Sequence, residues 1–414
     1  MNKYFLIGIK GSGMSSLASI LHDLGHYVEG SDKNDYFFTE ETLKRRSIVI
    51  HSYSKKNITD EFIYIKGNSV ENDEVIYVKE MSYKLYTYND FINEYFKGIK
   101  IAVTGTHGKT TTTKLLSHIL SSFYKVSYLI GDSTGIGIKD YTHFVFEACE
   151  YKDHFLVHEV DYGVITNIDF DHPDYFKDLK HVQDSFNKFS LNANKIIING
   201  DYNIKNKNKI TFGFTSNYDY YCKILDKNEN GYKIEINYDF NKAEIDLPFY
   251  GDFMILNFLA AFTLSYELGV PIDVIKESIK NFSLPKRRFS EYTINNQFIV
   301  DDYAHHPNEI KVSLDAIKQK YNRKIILVFQ PHTYTRTSAL LSEFNKVLGS
   351  VEYLYIDEVF SSAREKDQEV NELLSLDNAI EYNRELLNQF LGNNEYVIVF
   401  MGAGDINHEI NYIK

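Results

Sequence analysis

A chain of 414 residues with 43% hydrophobic and 25% charged side chains has ample apolar material for two or three globular domains. Its formal net charge of −12 opposes general binding to nucleic acid or to anionic membranes, so any small anionic ligand needs a locally basic pocket. Cys149 and Cys222 are too few for a disulfide framework or a zinc site. With no apolar run long enough to span a bilayer and no signal-peptide layout in MNKYFLIGIKGSG, the expected setting is the cytoplasm, without membrane insertion.

The pattern predicts a buried strand over Tyr4 to Ile9, overlapping the cluster Gly8-Ile9-Lys10-Gly11-Ser12-Gly13. A helix follows through Met14, Leu17, Ala18, Leu21 and Leu24, and Gly25 ends it; a second strand closes at Gly30-Ser31-Asp32. This is the layout of a βαβ nucleotide unit, with an acidic residue about 20 positions after the glycines. Gly8, Gly11 and Gly13 give G-x-x-G-x-G rather than the dehydrogenase order G-x-G-x-x-G. A nicotinamide cofactor, a structural turn and another diphosphate-bearing ligand all stay open, and the last is favoured. Residues 33 to 98 alternate short apolar runs with polar loops and complete a first α/β domain over 1–98.

The strongest signal is IAVTGTHGKTTTT, Ile101 to Thr113. Strand residues from Ile99 run into Gly105-Thr106-His107-Gly108-Lys109-Thr110, and then Leu115, Leu116, Ile119 and Leu120 share one helix face. Strand, glycine turn and helix start make an anion site, because backbone N–H groups and the helix N-terminus both face the ligand. Lys109 can reach the β/γ-phosphates, and the hydroxyl of Thr110 or Thr111 can join a Mg²⁺ shell. Val103 stands where strict P-loop spacing has glycine, so this is a compact variant of a nucleoside triphosphate site.

A second domain over 99–285 has strand candidates at Phe144–Ala148, Tyr162–Ile168 and Lys195–Asn199, each running into polar residues. In open α/β sheets ligands gather at these carboxyl ends, and hard oxygen donors such as Glu147 or Asp171 beside His172 suit Mg²⁺. Leu256–Leu268 reads as an amphipathic helix with Asn257 at its start, as a ligand contact, a cap or a solvated side chain. Pro285-Lys-Arg-Arg-Phe289 opens a third α/β domain over 286–414. Strands at Gln297–Val300, Lys324–Phe329, Tyr353–Ile356 and Val397–Phe400 end in Asp301–Pro307, Gln330–Thr337, Asp357-Glu358 and Met401–Asp405. The His305/His306 pair has no further His or Cys at ligand spacing, so a cleft-lining role is expected rather than a transition-metal site.

In order along the chain, GIKGSGMSSLA, GSD, TGTHGKTTTT, FEACEYKDHFL, TNIDFDHPDYF, the Asn257 helix, RRF, DDYAHHPNEI, QPHTYTRT and MGAGD resemble the Mur ligases over essentially its whole length. The resemblance implies three α/β domains: an N-terminal Rossmann-like domain for a UDP-sugar, a central P-loop ATPase-like domain for ATP and Mg²⁺, and a C-terminal Rossmann-like domain for the amino acid. It implies joining of L-alanine to the carboxylate of UDP-N-acetylmuramate through an acyl phosphate, in a monomer or weak homodimer. A sister activity attaching a preformed peptide to the same sugar is the alternative.

Carried over by residue, Gly11, Ser12, Gly13 and Met14 would meet the UDP diphosphate, and Ser31 and Asp32 the nucleoside. Gly105, Thr106, His107, Gly108, Lys109, Thr110 and Thr111 would cradle the ATP phosphates, Asn257 would meet adenine, and Arg288 and Asp302 would reach ATP from the hinge and third domain. Thr110, Glu147 and His172 would serve the metals. His305, His332 and Arg336 would orient substrate, with Lys109, His172, His332 and Arg336 carrying the chemistry. Lys10, Phe253 and Thr333 depart from the family's usual glycine, histidine and arginine, and Cys149-Glu150-Tyr151 replaces Asp-Glu-Ser, which leaves Glu147 and Glu150 as competing metal ligands.

Overall fold

A computed structural model of the chain describes residues 1–360, 376 and 378–413. Its strands form three separate sheets. The first is wholly parallel, in the spatial order Val49–Ser52, Tyr27–Asp32, Lys3–Ile7, Ile63–Lys66, Leu85–Thr87. The chain crosses outward in both directions from Lys3–Ile7, so the turn at Gly8 sits at a topological switch point, where such sheets open a crevice for ligands. The helix Ser12–Asp23 starts there and buries Met14, Leu17, Ala18, Ile20 and Leu21.

The second sheet has ten strands, with Ile99–Thr104 between Val160–Ile165 and His143–Glu147. Sequence pattern placed four of its parallel strands within a few residues; the parallel strands Val126–Leu129 and Lys209–Gly213 and the extension Tyr220–Asn228, Gly231–Tyr238 and Asn241–Leu247 were not anticipated. In the last of these, Ala243, Ile245 and Leu247 face the core while Lys242, Glu244 and Asp246 face out, the alternation of a sheet covered on one side.

The helix expected over Leu256–Leu268 starts earlier, at Asp252, and ends at Glu267. It is not amphipathic: Met254, Ile255, Phe258, Leu259, Phe262 and Leu264 are all buried, since it lies between the P-loop helix Lys109–Ser121 and the sheet. Asn257 therefore sits inside the helix with its side chain buried, neither a cap nor solvated.

The third sheet runs Ser290–Ile294, Gln297–Asp302, Tyr396–Met401, Lys324–Phe329, Tyr353–Ile356, Ala379–Glu381, antiparallel at the first pair and parallel beyond. Among the described residues no helix is long and apolar enough to cross a membrane.

Candidate active site between the middle and C-terminal domains

The P-loop turn is shaped by two glycines with positive φ, Gly105 at 140° and Gly108 at 79°. A Cβ on Gly108 would stand 2.4 Å from Asn257 Oδ1, so the turn needs glycine both for its backbone and for the close approach of the buried helix. Lys109 opens the helix, and its ammonium curls back into the turn to donate to the carbonyls of Gly105 (2.6 Å) and Thr106 (3.0 Å). It also pairs with Glu150 Oε2 at 2.9 Å. Burial works against this charge, but Glu150 outweighs it and holds the Lys109 pKa above the usual lysine range.

Glu147 and Glu150, alternatives in the sequence, divide the work by position. The Thr110 hydroxyl donates to Glu147 Oε2 at 2.9 Å, and the Gly131 N–H donates to the same oxygen at 3.0 Å. Burial pushes the Glu147 carboxyl upward, and Lys109 and Thr110 only partly offset it. This is a carboxylate short of positive charge beside a hydroxyl. Glu150 instead faces Lys109 and the His172 imidazole, whose Nε2 lies 3.6 Å away; against its burial these two keep it below the usual carboxylate range. His172, at φ 55°, lies at the rim of this cluster, also 3.9 Å from Asp171.

The C-terminal domain closes the site. Arg336 Nε donates to Asp171 Oδ1 at 2.9 Å and its Nη2 to Oδ2 at 3.3 Å, a two-pronged pair in which both residues are buried. His332 Nδ1 lies 3.4 Å from Arg336 Nη1, stacks on Phe360 and meets His305 edge-on. Thus Arg336 and His172 meet at the buried Asp171 carboxylate, His332 joins them through Arg336, and His305 packs against His332. Glu309, one helical turn after His305, reaches His305 Nδ1 and His107 Nδ1 at 3.3 Å each and Arg288 at 3.7 Å. Burial opposes its charge, yet His305, His107 and Arg288 around it hold its pKa well down.

Beside the turn lies a cavity of about 250 Å³ lined on the polar side by His107, Asn257, Arg288 and Asp302, and on the apolar side by Tyr250, Phe253, Met254, Leu284 and Phe289. Thr111 and Gly108 reach it from the P-loop helix. Asp302 is held by the N–H groups of Phe289 and Ala304, and Arg288 lies over the Tyr303 ring. Asn167 fixes the turn from outside, accepting from the His107 N–H at 2.8 Å and donating to the His107 carbonyl.

The N-terminal glycine turn is a separate place. Gly11 caps the helix of Ser12, Gly13 and Met14, and the Tyr88 hydroxyl would meet a Cβ on Gly13 at 2.7 Å. Asp32 accepts from the N–H of Lys10 (2.7 Å) and of Lys33 (2.8 Å), and the Ser31 hydroxyl is tied to Glu74. Asp171, read from the sequence as an oxygen donor for Mg²⁺, is instead the anchor of Arg336, and Glu309, a hub, is the residue motif reading passed over. Glu309 had one visible signal, its place four residues after His305 on a helix start.

Three sequence models of one family match the chain: "Mur ligase family, catalytic domain" over residues 3–99, "Mur ligase middle domain" over 103–265, and "Mur ligase, glutamate ligase domain" over 287–404. Solved structures share the fold. A UDP-N-acetylmuramate-alanine ligase, MurC, from Thermotoga maritima aligns with TM-score 0.80 and 24% identity over 100% of this chain and 98% of its own. A murein peptide ligase from Psychrobacter arcticus aligns at 0.71 and 19% over 100% and 98%. MurF from Thermotoga maritima, solved in complex with ADP, aligns at 0.65 and 15% over 93% and 94%. The three matches follow one another along most of the sequence, each on one of the three sheets, and the chain belongs to the Mur ligase family of ATP-dependent ligases.

Proposed function

We propose that this protein joins L-alanine to the carboxylate of UDP-N-acetylmuramate in peptidoglycan precursor synthesis, converting ATP to ADP and phosphate. Residues 1–98 would hold the UDP-sugar, 99–285 ATP and 286–414 the amino acid. The observation that carries the reading is the convergence of the Lys109 ammonium, the Thr110–Glu147 pair and the Arg336–Asp171–His332 group at one domain junction. The adjoining cavity supports the nucleotide half: aromatic walls suit a purine, Asn257 offers an amide, and Arg288 and Asp302 suit the ribose and phosphates.

In this scheme the sugar's carboxylate attacks the γ-phosphorus, the bond to ADP breaks, and an acyl phosphate forms. The amine of L-alanine then attacks the acyl carbon, loses a proton and expels phosphate. Lys109, charged and held inside the turn by two carbonyls and Glu150, neutralises the transferring phosphoryl group by turning from these partners to the phosphate. Arg336 and His332 orient carboxylate groups, and closure of the two domains over the junction excludes water from the acyl phosphate. The donor set at Thr110 and Glu147, one hydroxyl and one under-compensated buried carboxylate, fits a hard Mg²⁺ ion, which when bound supplies charge neutralisation at the phosphates. His172 would serve a second ion.

Gly11, Ser12, Gly13 and Met14 offer a helix N-terminus to the UDP diphosphate, with Ser31 and Asp32 toward the nucleoside. A peptide-attaching activity is the second reading, because the murein peptide ligase fold matches this chain over an equal length. The test is phosphate release from ATP and Mg²⁺ with UDP-N-acetylmuramate and either single amino acids or a tripeptide. Release that needs both the sugar and L-alanine, and stops in Lys109→Ala, is the expected result. Release only with the peptide would replace this reading by the second, and release with ATP alone would overturn both.

A further inference from the structure

At the polar edge of the nucleotide cavity, three side chains from distant segments converge: His107 of the P-loop turn, Asp169 of the loop after Val160–Ile165, and His306, which caps the helix Pro307–Tyr321 of the C-terminal domain. One ligating atom from each lies within 4.8 Å of the other two, and the imidazole rings are 4.6 Å apart. His306 is only 4% exposed. Its Nε2 is buried without a hydrogen-bond partner, and Nε2 of His107, also buried, has only a long approach of 3.7 Å to Asp169 Oδ2. Such groups are costly to leave unsatisfied, and two of them facing one carboxylate call for a shared occupant.

The surroundings are those of a ligand set. Glu309 stands behind His107, 3.3 Å from its Nδ1, the carboxylate–imidazole pairing that orients a metal-binding histidine and raises its basicity. On the other side the Asn308 amide donates to Asp169 and fixes that carboxylate. Two imidazoles and one carboxylate suit a borderline transition dication, with water in the remaining position, far better than they suit Mg²⁺. We infer that His107, Asp169 and His306 form a further cation site, for Zn²⁺ or a neighbouring first-row dication, that clasps the P-loop to the C-terminal domain. It is separate from the Thr110–Glu147 pair and does not depend on which substrate the ligase takes. Binding through His306 Nε2 moves that ring's proton to Nδ1 and gives up one long hydrogen bond, the Asn308 N–H to Nδ1 at 3.3 Å. A single weak cap is a small sacrifice against three metal bonds.

The probe is Co²⁺ added to the nucleotide-free, chelator-stripped protein, followed by its visible ligand-field bands and displaced with Zn²⁺. The expected result is one equivalent bound by the native protein, with affinity lower by at least about tenfold in His306→Asn and in Asp169→Asn. His306→Asn keeps an oxygen that can cap the helix, and Asp169→Asn keeps an acceptor for Asn308, so either variant can carry the test if the other fails to fold. Glu147→Gln should bind Co²⁺ like the native protein. Equal affinity in both site variants, loss in Glu147→Gln instead, or no stoichiometric binding at all would each overturn the assignment.

Discussion

The chain holds two glycine turns built by the same rule, and they differ in what surrounds the helix start. Each follows a parallel strand inside its sheet, Lys3–Ile7 or Ile99–Thr104, and each leads into a helix capped by glycine, Gly11 or Gly108. In the first, Lys10 looks away: its ammonium donates to the carbonyls of Lys33 (2.7 Å) and Asp35 (2.8 Å) and pairs with Glu40 at 2.8 Å. In the second, Lys109 is folded back into the turn, with Glu150 and the Thr110–Glu147 pair beside it. A backbone cradle alone can hold an anion. Moving a phosphoryl group needs a fixed cation and oxygen ligands around that cradle, and only the second turn has them.

The largest expected effect breaks the comparison at its strong side. Lys109→Ala should lower sugar- and alanine-dependent phosphate release by at least about 10³-fold, the loss that follows removal of a fixed transition-state donor. A variant keeping a tenth of the activity would mean that the two turns are equivalent cradles after all. Next is Asp171→Asn, which leaves the Arg336 guanidinium buried at 5% exposure without its counter-charge. Loss of one partner from such a pair costs about 3 kcal/mol in unfolding free energy, readable by denaturant titration. A change below about 1 kcal/mol would instead describe a solvated pair, and so domains that stand apart in solution.

Much of this contrast was legible from residues alone, because local chemistry dictates it. Gly-Lys-Thr after an apolar strand, and strands ending in polar clusters, follow from hydrogen-bond and periodicity rules that act within a few residues. Lys324–Phe329 and Tyr353–Ile356 match the pattern to the residue. The Asn257 helix was misjudged since a helix covered on both sides loses the polar face that marks its ends and its phase. Pairings across the junction were invisible for another reason. Asp171 with Arg336, and Glu309 with His107, join residues more than a hundred positions apart, and no spacing rule reports them. His306 looked partnerless for the same cause, as His107 and Asp169 come from the other domain.

A third prediction separates acid effects on the fold from acid effects on the turn. His158 is buried against Phe146, one residue before Glu147, and burial drives its pKa down to about 3. The unfolded chain takes up this proton near pH 6.5 and the folded one does not, so stability is complete above that pH and falls as the pH drops toward 3. At pH 5 the loss is about 2 kcal/mol, at roughly 1.4 kcal/mol per pH unit. His158→Leu should flatten this acid limb in a stability–pH series; an unchanged limb would assign it to other groups. In the His158→Leu background, any acid loss of activity that persists then belongs to the charged turn itself.

The smallest effect tests the quiet side of the comparison. Lys10 stands where the family usually has glycine, and a lysine beside a diphosphate cradle invites the idea that it binds phosphate. Its three N–H donors are already matched by two carbonyls and a carboxylate, and its side chain is 7% exposed. To reach a ligand it would have to abandon Glu40, whose carboxyl is pushed up by burial but held down at about 2 by Lys10, Lys44 and the Phe37 N–H. Lys10→Ala should therefore cost about 1 kcal/mol of stability, since Lys44 still pairs with Glu40 at 2.8 Å. KM for the UDP-sugar should move by less than about threefold, because the lysine's partners are protein groups and not the ligand. A tenfold rise in KM at unchanged kcat would mean that Lys10 swings to the diphosphate, and that the first turn, like the second, recruits a cation when its ligand arrives.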